Sequence, residues 1–236
     1  MRKFVLKFST YLCILMLVFL VSPLYSQQTK FKMTPQENMP RFGLGVLAGY
    51  AMPSKEGINP VDLEENYNRG SFSYGGNIYL MISENIAVEV NAFNFQYDVK
   101  ASSEGLSKGS LTINPVGISL QGRLPVTPYL VPYVVGGGSY YLNEFNLDEQ
   151  LINDWASLGF DLEEKVESGM GYHVGAGLDF FVSRNFALNV DGRYFINNME
   201  GSWSIVDQKT NEEVTGKLDN LDMSSIFVGF GLKLVF

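Results

Sequence analysis

Residues 226–236, Ile-Phe-Val-Gly-Phe-Gly-Leu-Lys-Leu-Val-Phe, alternate with a period of two. In an extended chain Ile226, Val228, Phe230, Leu232, Leu234 and Phe236 share one face. Phe227, Gly229, Gly231, Lys233 and Val235 share the other. One face is apolar without a break, and the other mixes small residues with a charge. A tilted strand of about 9–11 residues crosses the hydrocarbon of a bilayer, and this segment has that length. Lipid offers no partner to a free backbone N–H or C=O, so a spanning strand has to be one stave of a closed barrel.

Seven further segments read the same way, at about 41–52, 71–82, 86–99, 110–124, 131–142, 169–182 and 186–199. The first sets Phe42, Leu44, Val46, Ala48 and Tyr50 on one face. The segment at 169–182 opposes Met170, Tyr172, Val174, Ala176, Leu178 and Phe180 to Gly171, His173, Gly175, Gly177 and Asp179. Pro115 predicts a bulge in the fourth, because proline cannot donate to a ladder. The run Val135-Gly-Gly-Gly138 leaves the facing of the fifth open. No stretch after residue 26 approaches the ~18 apolar residues of a spanning helix. The links at 83–85, 125–130 and 183–185 are short, whereas those at 53–70, 100–109, 143–168 and 200–222 are long and polar. Short and long alternate strictly, as turns on one side of a membrane and loops on the other would. A soluble sandwich would turn its apolar faces inward, but here the charged residues share a face with the glycines. The predicted fold is all-β: an eight-stranded antiparallel transmembrane β-barrel, an up-and-down meander over 41–236.

Residues 1–26 have the form of a cleaved secretory signal: Arg2, Lys3 and Lys7, then an apolar core, then Pro23 before Leu24-Tyr25-Ser26. The alternative is a retained anchor, for which the apolar run is short. Residues 27–40 read as a periplasmic tail. The leader holds three of the 17 basic residues and none of the 25 acidic ones, so the remainder carries 14 − 25 = −11. That balance argues against nucleic acid as a partner. The one cysteine, Cys13, lies in the leader, so disulfides are excluded, and a single histidine excludes a Cys/His metal site.

With the apolar faces turned to lipid, the opposite faces define the lumen. Its charged members are Glu89, Asp179 and Asp191 against Arg123, Arg193 and Lys233. Charge in a narrow interior is costly unless paired, so a balanced set reads as a salt-bridge network closing the periplasmic half. A selectivity filter is the alternative. Towards the outside Leu47, Phe93, Phe95, Phe195 and Phe227 point inward on this register, with Tyr140 and Leu142 as further candidates. They form either a pocket for a small hydrophobic ligand or packing alone. Within the acidic link 143–168, Leu147, Leu151, Trp155 and Leu158 have helical spacing. Leu151 and Trp155 are candidates for a lid over the barrel mouth, against the plainer reading of a solvated loop. Link 200–222 reads as a hairpin standing above the membrane, and the acidic residues lack calcium-loop spacing. His173 points inward without a serine at a neighbouring same-face position, so a lumen histidine is preferred to a catalytic one. Gly43-Leu-Gly45 and Gly136–Gly138 precede no helix start, so neither suggests a phosphate-bearing cofactor, and no cofactor is expected.

Val131-Pro-Tyr-Val-Val-Gly-Gly-Gly-Ser-Tyr-Tyr141, Gly175-Ala-Gly-Leu-Asp179 and Asn185-Phe-Ala-Leu-Asn-Val-Asp-Gly-Arg-Tyr194 resemble strands five to seven of the outer-membrane protein W family. Tyr79-Leu-Met-Ile-Ser-Glu-Asn-Ile-Ala-Val-Glu89 resembles its second strand, turn and third strand, and Pro115 sits in a similar fourth strand. The likeness spans nearly all of 41–236. It implies an eight-stranded outer-membrane barrel with a narrow hydrophobic channel that passes or binds small apolar molecules; a structural or adhesive barrel acting through its acidic external loops is the alternative, and a lipid-modifying enzyme is the less favoured one. Asp179, Asn189, Asp191 and Arg193 occupy matching positions and read as scaffold. The chain departs from the family in its long acidic loop 143–168 and at Phe93-Asn-Phe-Gln-Tyr97. An end on the aromatic Phe236 resembles the signal read by the outer-membrane assembly machinery. Expected partners are therefore outer-membrane lipids, that machinery and a small hydrophobic ligand.

Overall fold

The computed structural model describes residues 41–53, 70–99 and 107–236. The expected leader over 1–26 and tail over 27–40 lie outside them, as does most of the link 53–70 and of the link 100–109. Among the described residues, eleven strands and one helix follow in chain order. They are β1 (Arg41–Pro53), β2 (Ser71–Met81), β3 (Ile86–Val99), β4 (Gly109–Arg123), β5 (Leu130–Leu147), α1 (Glu149–Ser157), β6 (Phe160–Val166), β7 (Gly169–Phe181), β8 (Phe186–Ile196), β9 (Asn198–Asp207), β10 (Glu213–Asp222) and β11 (Ser225–Val235).

Eight of these strands close an antiparallel barrel in the order β1-β11-β8-β7-β5-β4-β3-β2. The first and last pair from Gly43↔Val235 to Pro53↔Ser225, which leaves no free edge. The expected meander is borne out, with β6 and the β9–β10 hairpin inserted between its staves. Following paired residues once around from Phe42 passes through Leu80, Val88, Leu120, Gly136, Val174, Tyr194 and Ile226. It returns to β1 at Met52, a stagger of 52 − 42 = 10 residues. A stagger larger than the strand number tilts the strands steeply, and an eight-stranded bore is just wide enough for side chains to fill.

Alternation decides what faces where. Val46, Phe72, Ile118, Met170 and Phe230 stand on the outer wall, with exposures from 62 % at Val46 to 73 % at Met170. The inward neighbours are almost all buried. Two tight turns share one device. Asn85 donates to the Arg123 carbonyl at 2.9 Å and Asn185 to that of Val235 at 2.6 Å, each tying the turn to the next stave.

Four expectations are corrected. The fifth strand runs on to Leu147, and alternation continues through its glycines, so Tyr141 is buried inward while Tyr140, 46 % exposed, and Leu142 face outward. Tyr140 therefore leaves the lumen set. The seventh predicted strand divides, since β8 ends at Ile196 and β9 begins at Asn198. No bulge forms at Pro115, because Ala92↔Val116 and Phe95↔Ile113 keep one register. The missing N–H removes only local ladder pairing, and Asn94 donates to the Asn114 side chain at 2.7 Å across the gap. Finally, the acidic link contains a strand as well as a helix: β6 joins the expected hairpin in a three-stranded sheet, β10-β9-β6.

Candidate functional site

The lumen is layered. In the half with the tight turns, all six expected charges meet in one ionic network, and below it Tyr79, Met81, Ala87 and Val235, with Phe181 against them, close the turn end. Arg193 donates through Nε and a terminal nitrogen to both oxygens of Asp191, at 2.8 and 3.0 Å, and through its other nitrogen to Glu89 at 2.7 Å. Asp179 takes Arg123 at 2.8 Å on one oxygen and Lys233 at 2.9 Å on the other. These side chains are essentially unexposed. Three cations meet three anions, so the network carries no formal charge, which is what allows it to stay buried.

Neutral side chains that sequence reasoning leaves out of the network complete it. Asn77 and Asn91 donate to Glu89 at 3.1 and 3.0 Å, Gln121 donates to the same carboxylate, and Asn189 donates to Asp179 at 2.7 Å. Tyr133 donates to Asp191 at 2.5 Å and lays its ring 4.4 Å from the Lys233 ammonium. Each sits at an inward position of its strand, so period two marks them as lumen residues. Only the barrel's closure shows which carboxylate each one meets. Glycine makes the room: a Cβ at Gly177 would strike the Tyr133 ring, and one at Gly175 would lie 2.8 Å from Arg193 Cγ.

His173 marks the upper boundary of this layer. Its Nε2 lies 2.7 Å from Ser119 Oγ and its Nδ1 2.9 Å from Ser139 Oγ, while its ring is 5.4 Å from that of Phe195. The serines come from β5, the stave paired with β7, and from β4 beyond it, and neither is close to His173 in sequence. Both ring nitrogens are engaged and the residue is fully buried.

Above His173 the chemistry changes abruptly. Phe93, Phe95, Phe195 and Phe227 meet in a ring layer, with centroids 5.3 Å apart for Phe93–Phe195, 5.2 Å for Phe93–Phe227 and 5.0 Å for Phe95–Phe195. Those three pairs are edge-to-face, the arrangement that opposes positive ring edges to negative faces. Leu47 belongs to the same cluster. Arg193 links the two layers, its guanidinium 5.2 Å from the centre of Phe93. Beyond the rings the apolar column continues through Tyr97, Leu111, Ile113 and Tyr141, and then out of the barrel into Val166, Met199, Leu221 and Met223. Apart from Val166 of β6, these residues extend the inward faces by steps of two, and sequence reasoning misses them because strand ends carry no lipid-facing pattern to fix them.

The candidate lid is only half formed. Helix α1 has Asp148 as its N-cap, accepting from the Gln150 N–H at 3.1 Å. Trp155 packs edge-on against Phe160 of β6 at 6.2 Å, and Leu151, like Trp155, is half-buried. The helix thus leans on the external sheet, and none of its residues is buried.

No curated protein matches the chain. Among solved structures it is similar to the outer membrane protein OprG of Pseudomonas aeruginosa, at 20 % identity and a TM-score of 0.56, over 81 % of this chain and 95 % of that one. It is also similar to Neisserial surface protein A, at 16 % identity and a TM-score of 0.50, over 82 % and 96 %. A major outer membrane protein from Thermus thermophilus gives 10 % identity and a TM-score of 0.52, over 84 % and 100 %. The family described as outer membrane protein beta-barrel domain matches residues 13–233. That match covers nearly the whole chain and agrees with the closed barrel and its apolar outer wall. The outer-membrane barrel class that the strand motifs resembled is thereby shown, and the chain belongs to the outer membrane protein beta-barrel domain family.

Proposed function

We propose that this outer-membrane barrel binds small hydrophobic molecules in the outer half of its lumen, taking them up from the loop end. One observation carries the reading. The apolar column runs from the ring layer, past Asn197, out to Met199 and Leu221 of the external sheet and the neighbouring Met223, whereas on the other side of the rings the lumen is crossed by the ionic network. A barrel needing only to be filled could carry the same ionic chemistry throughout. An apolar solute entering the column leaves water for rings and methionines, and flexible methionine adapts to differently shaped guests. Leu47, Phe93, Phe95, Phe195 and Phe227 are the contact residues in this reading. Net movement through the base would require the Arg193 and Asp179 pairs to part.

Export through a leader over 1–26, and recognition of the terminal strand by the assembly machinery, belong to the same proposal. Enzymatic chemistry does not: both imidazole nitrogens of His173 meet serine hydroxyls, so no carboxylate orients the ring as a general base. The test is an environment-sensitive apolar probe titrated against the barrel in lipid nanodiscs, with empty discs as the partition control. Phe195→Asp should weaken binding at least about tenfold, since it sets a carboxylate among rings. Unchanged affinity would remove the lumen from the account.

A second reading, adhesion through the acidic external sheet, draws on the mutual contact of the rings, which fills the layer. In that case removing the β9–β10 hairpin would abolish a partner contact that Phe195→Asp leaves intact.

A further inference from the structure

Asn197 follows β8 and continues its inward face, two residues beyond Phe195 and two before Met199. Its backbone is pinned on both sides. Its N–H donates to Ser224 Oγ at 3.3 Å, and its carbonyl accepts from the Met223 N–H at 2.7 Å. The side chain is therefore held inside the apolar column, where it is fully buried. Neither its Oδ1 nor its Nδ2 has a hydrogen-bond partner among the described residues. It is the only buried side-chain amide among them with both ends unmet. Asn77, Asn91 and Asn189 each spend at least their nitrogen on a carboxylate. Close by in the same column, the Tyr97 hydroxyl is satisfied by Ser225 Oγ at 2.9 Å.

A buried carboxamide with both functions idle is rare and destabilising, and leucine would fill a similar volume without that cost. Apolar binding sites use such groups sparingly, to fix the orientation of what enters. We propose that Asn197 recognises the polar head of an amphiphile whose alkyl tail points at the ring layer. A carboxamide offers an acceptor and a donor side by side, so the head it suits both donates and accepts: a primary alcohol or an un-ionised carboxylic acid. The direction follows from the chain, since Phe195 lies on the ring side of Asn197 and touches Phe93 and Phe95. This inference rests on the hydrophobic-binding reading and adds to it a head-group preference and the residue that sets it.

The experiment compares decan-1-ol with decane, two probes of equal chain length, titrated against the barrel in lipid nanodiscs and corrected for uptake by empty discs. The side-chain amide resonance of Asn197 and the dissociation constants are read together. The expected result is a preference of about tenfold for the alcohol, the worth of one added hydrogen bond in a dry site, with a shift of the Asn197 amide signal on binding. Asn197→Leu should bring the alcohol down to the level of decane without weakening decane. A preference that survives Asn197→Leu, or saturation by decan-1-ol with an unmoved Asn197 amide, overturns the assignment while leaving hydrophobic binding in place. Failure of both probes to bind the unmodified barrel overturns the hydrophobic reading itself, and this inference with it. The amide signal is read in the unmodified protein, so the assignment stays testable if the leucine variant fails to fold.

Discussion

Arg193 illustrates how much of the lumen hangs on single side chains. It contacts Glu89, Asp191 and the face of Phe93, and so joins the ionic base to the ring layer. Arg193→Met keeps the volume but leaves two carboxylates buried without their cation. A loss of about 3–5 kcal/mol is expected, against near neutrality if the carboxylates were replaced as well. Urea unfolding of the barrel in lipid vesicles reads this directly, and an unchanged midpoint would show the network to be dispensable. Gly177 is the steric counterpart. Any side chain there meets the Tyr133 ring, so Gly177→Val should disturb the Tyr133–Asp191 bond as severely as Tyr133→Phe. All six charges of the base are legible in the sequence, because each falls on the inward face of a strand whose outward face is apolar. Their pairing is not, since Glu89 and Arg193 lie 104 residues apart and meet only once the barrel closes.

Legibility at the level of elements follows the same constraint. Strands bounded by lipid carry a pattern on both faces, which places them to within one or two residues, apart from β5 and β8. The five terminal residues added to β5 lie where the outer wall turns polar, at Glu144 and Asn146, so no apolar face marks their end. The pattern misplaces Tyr140 because Gly136, Gly137 and Gly138 carry no side chain to register the alternation. Strand β6 is hidden by Asp161, Glu163 and Lys165 on its open face. The external elements should also be separable from the barrel. Replacing residues 202–217 with a tight turn removes the outer half or so of β9 and of β10 but no residue of the barrel ladder, so the shortened chain should still assemble. Heat-modifiable migration on gels checks this; loss of the folded band would mean that the external sheet is needed for closure. Helix α1 offers a pH test. The Asp148 carboxyl is held below its ordinary value of 3.8, first by Lys108 at 3.1 Å and then by backbone N–H groups at the helix start. A lowered carboxyl pKa contributes stability that is complete above the ordinary value and disappears as pH falls through the lowered one. The Gln150 amide should therefore gain hydrogen exchange only in acid below that ordinary value, and Asp148→Asn should remove most of the dependence.

For the whole molecule, two opposite polarities share one chain. The outer wall is apolar because it meets hydrocarbon. The lumen is ionic in one layer of its turn-side half, where the charges neutralise one another, and packed with apolar side chains on either side of that layer, most extensively towards the loops. On the proposed reading, apolar guests enter the loop-side column between the rings and the external sheet, and the ionic layer stops them. Its most direct test is a crystal structure of the barrel grown with 1-bromodecane, in which anomalous scattering locates the bromine. Bromine within the column bounded by Phe93, Phe195 and Phe227 on one side and Met199 on the other is the predicted result. Bromine confined to the outer wall, with the rings in the same mutual contact, would contradict the account.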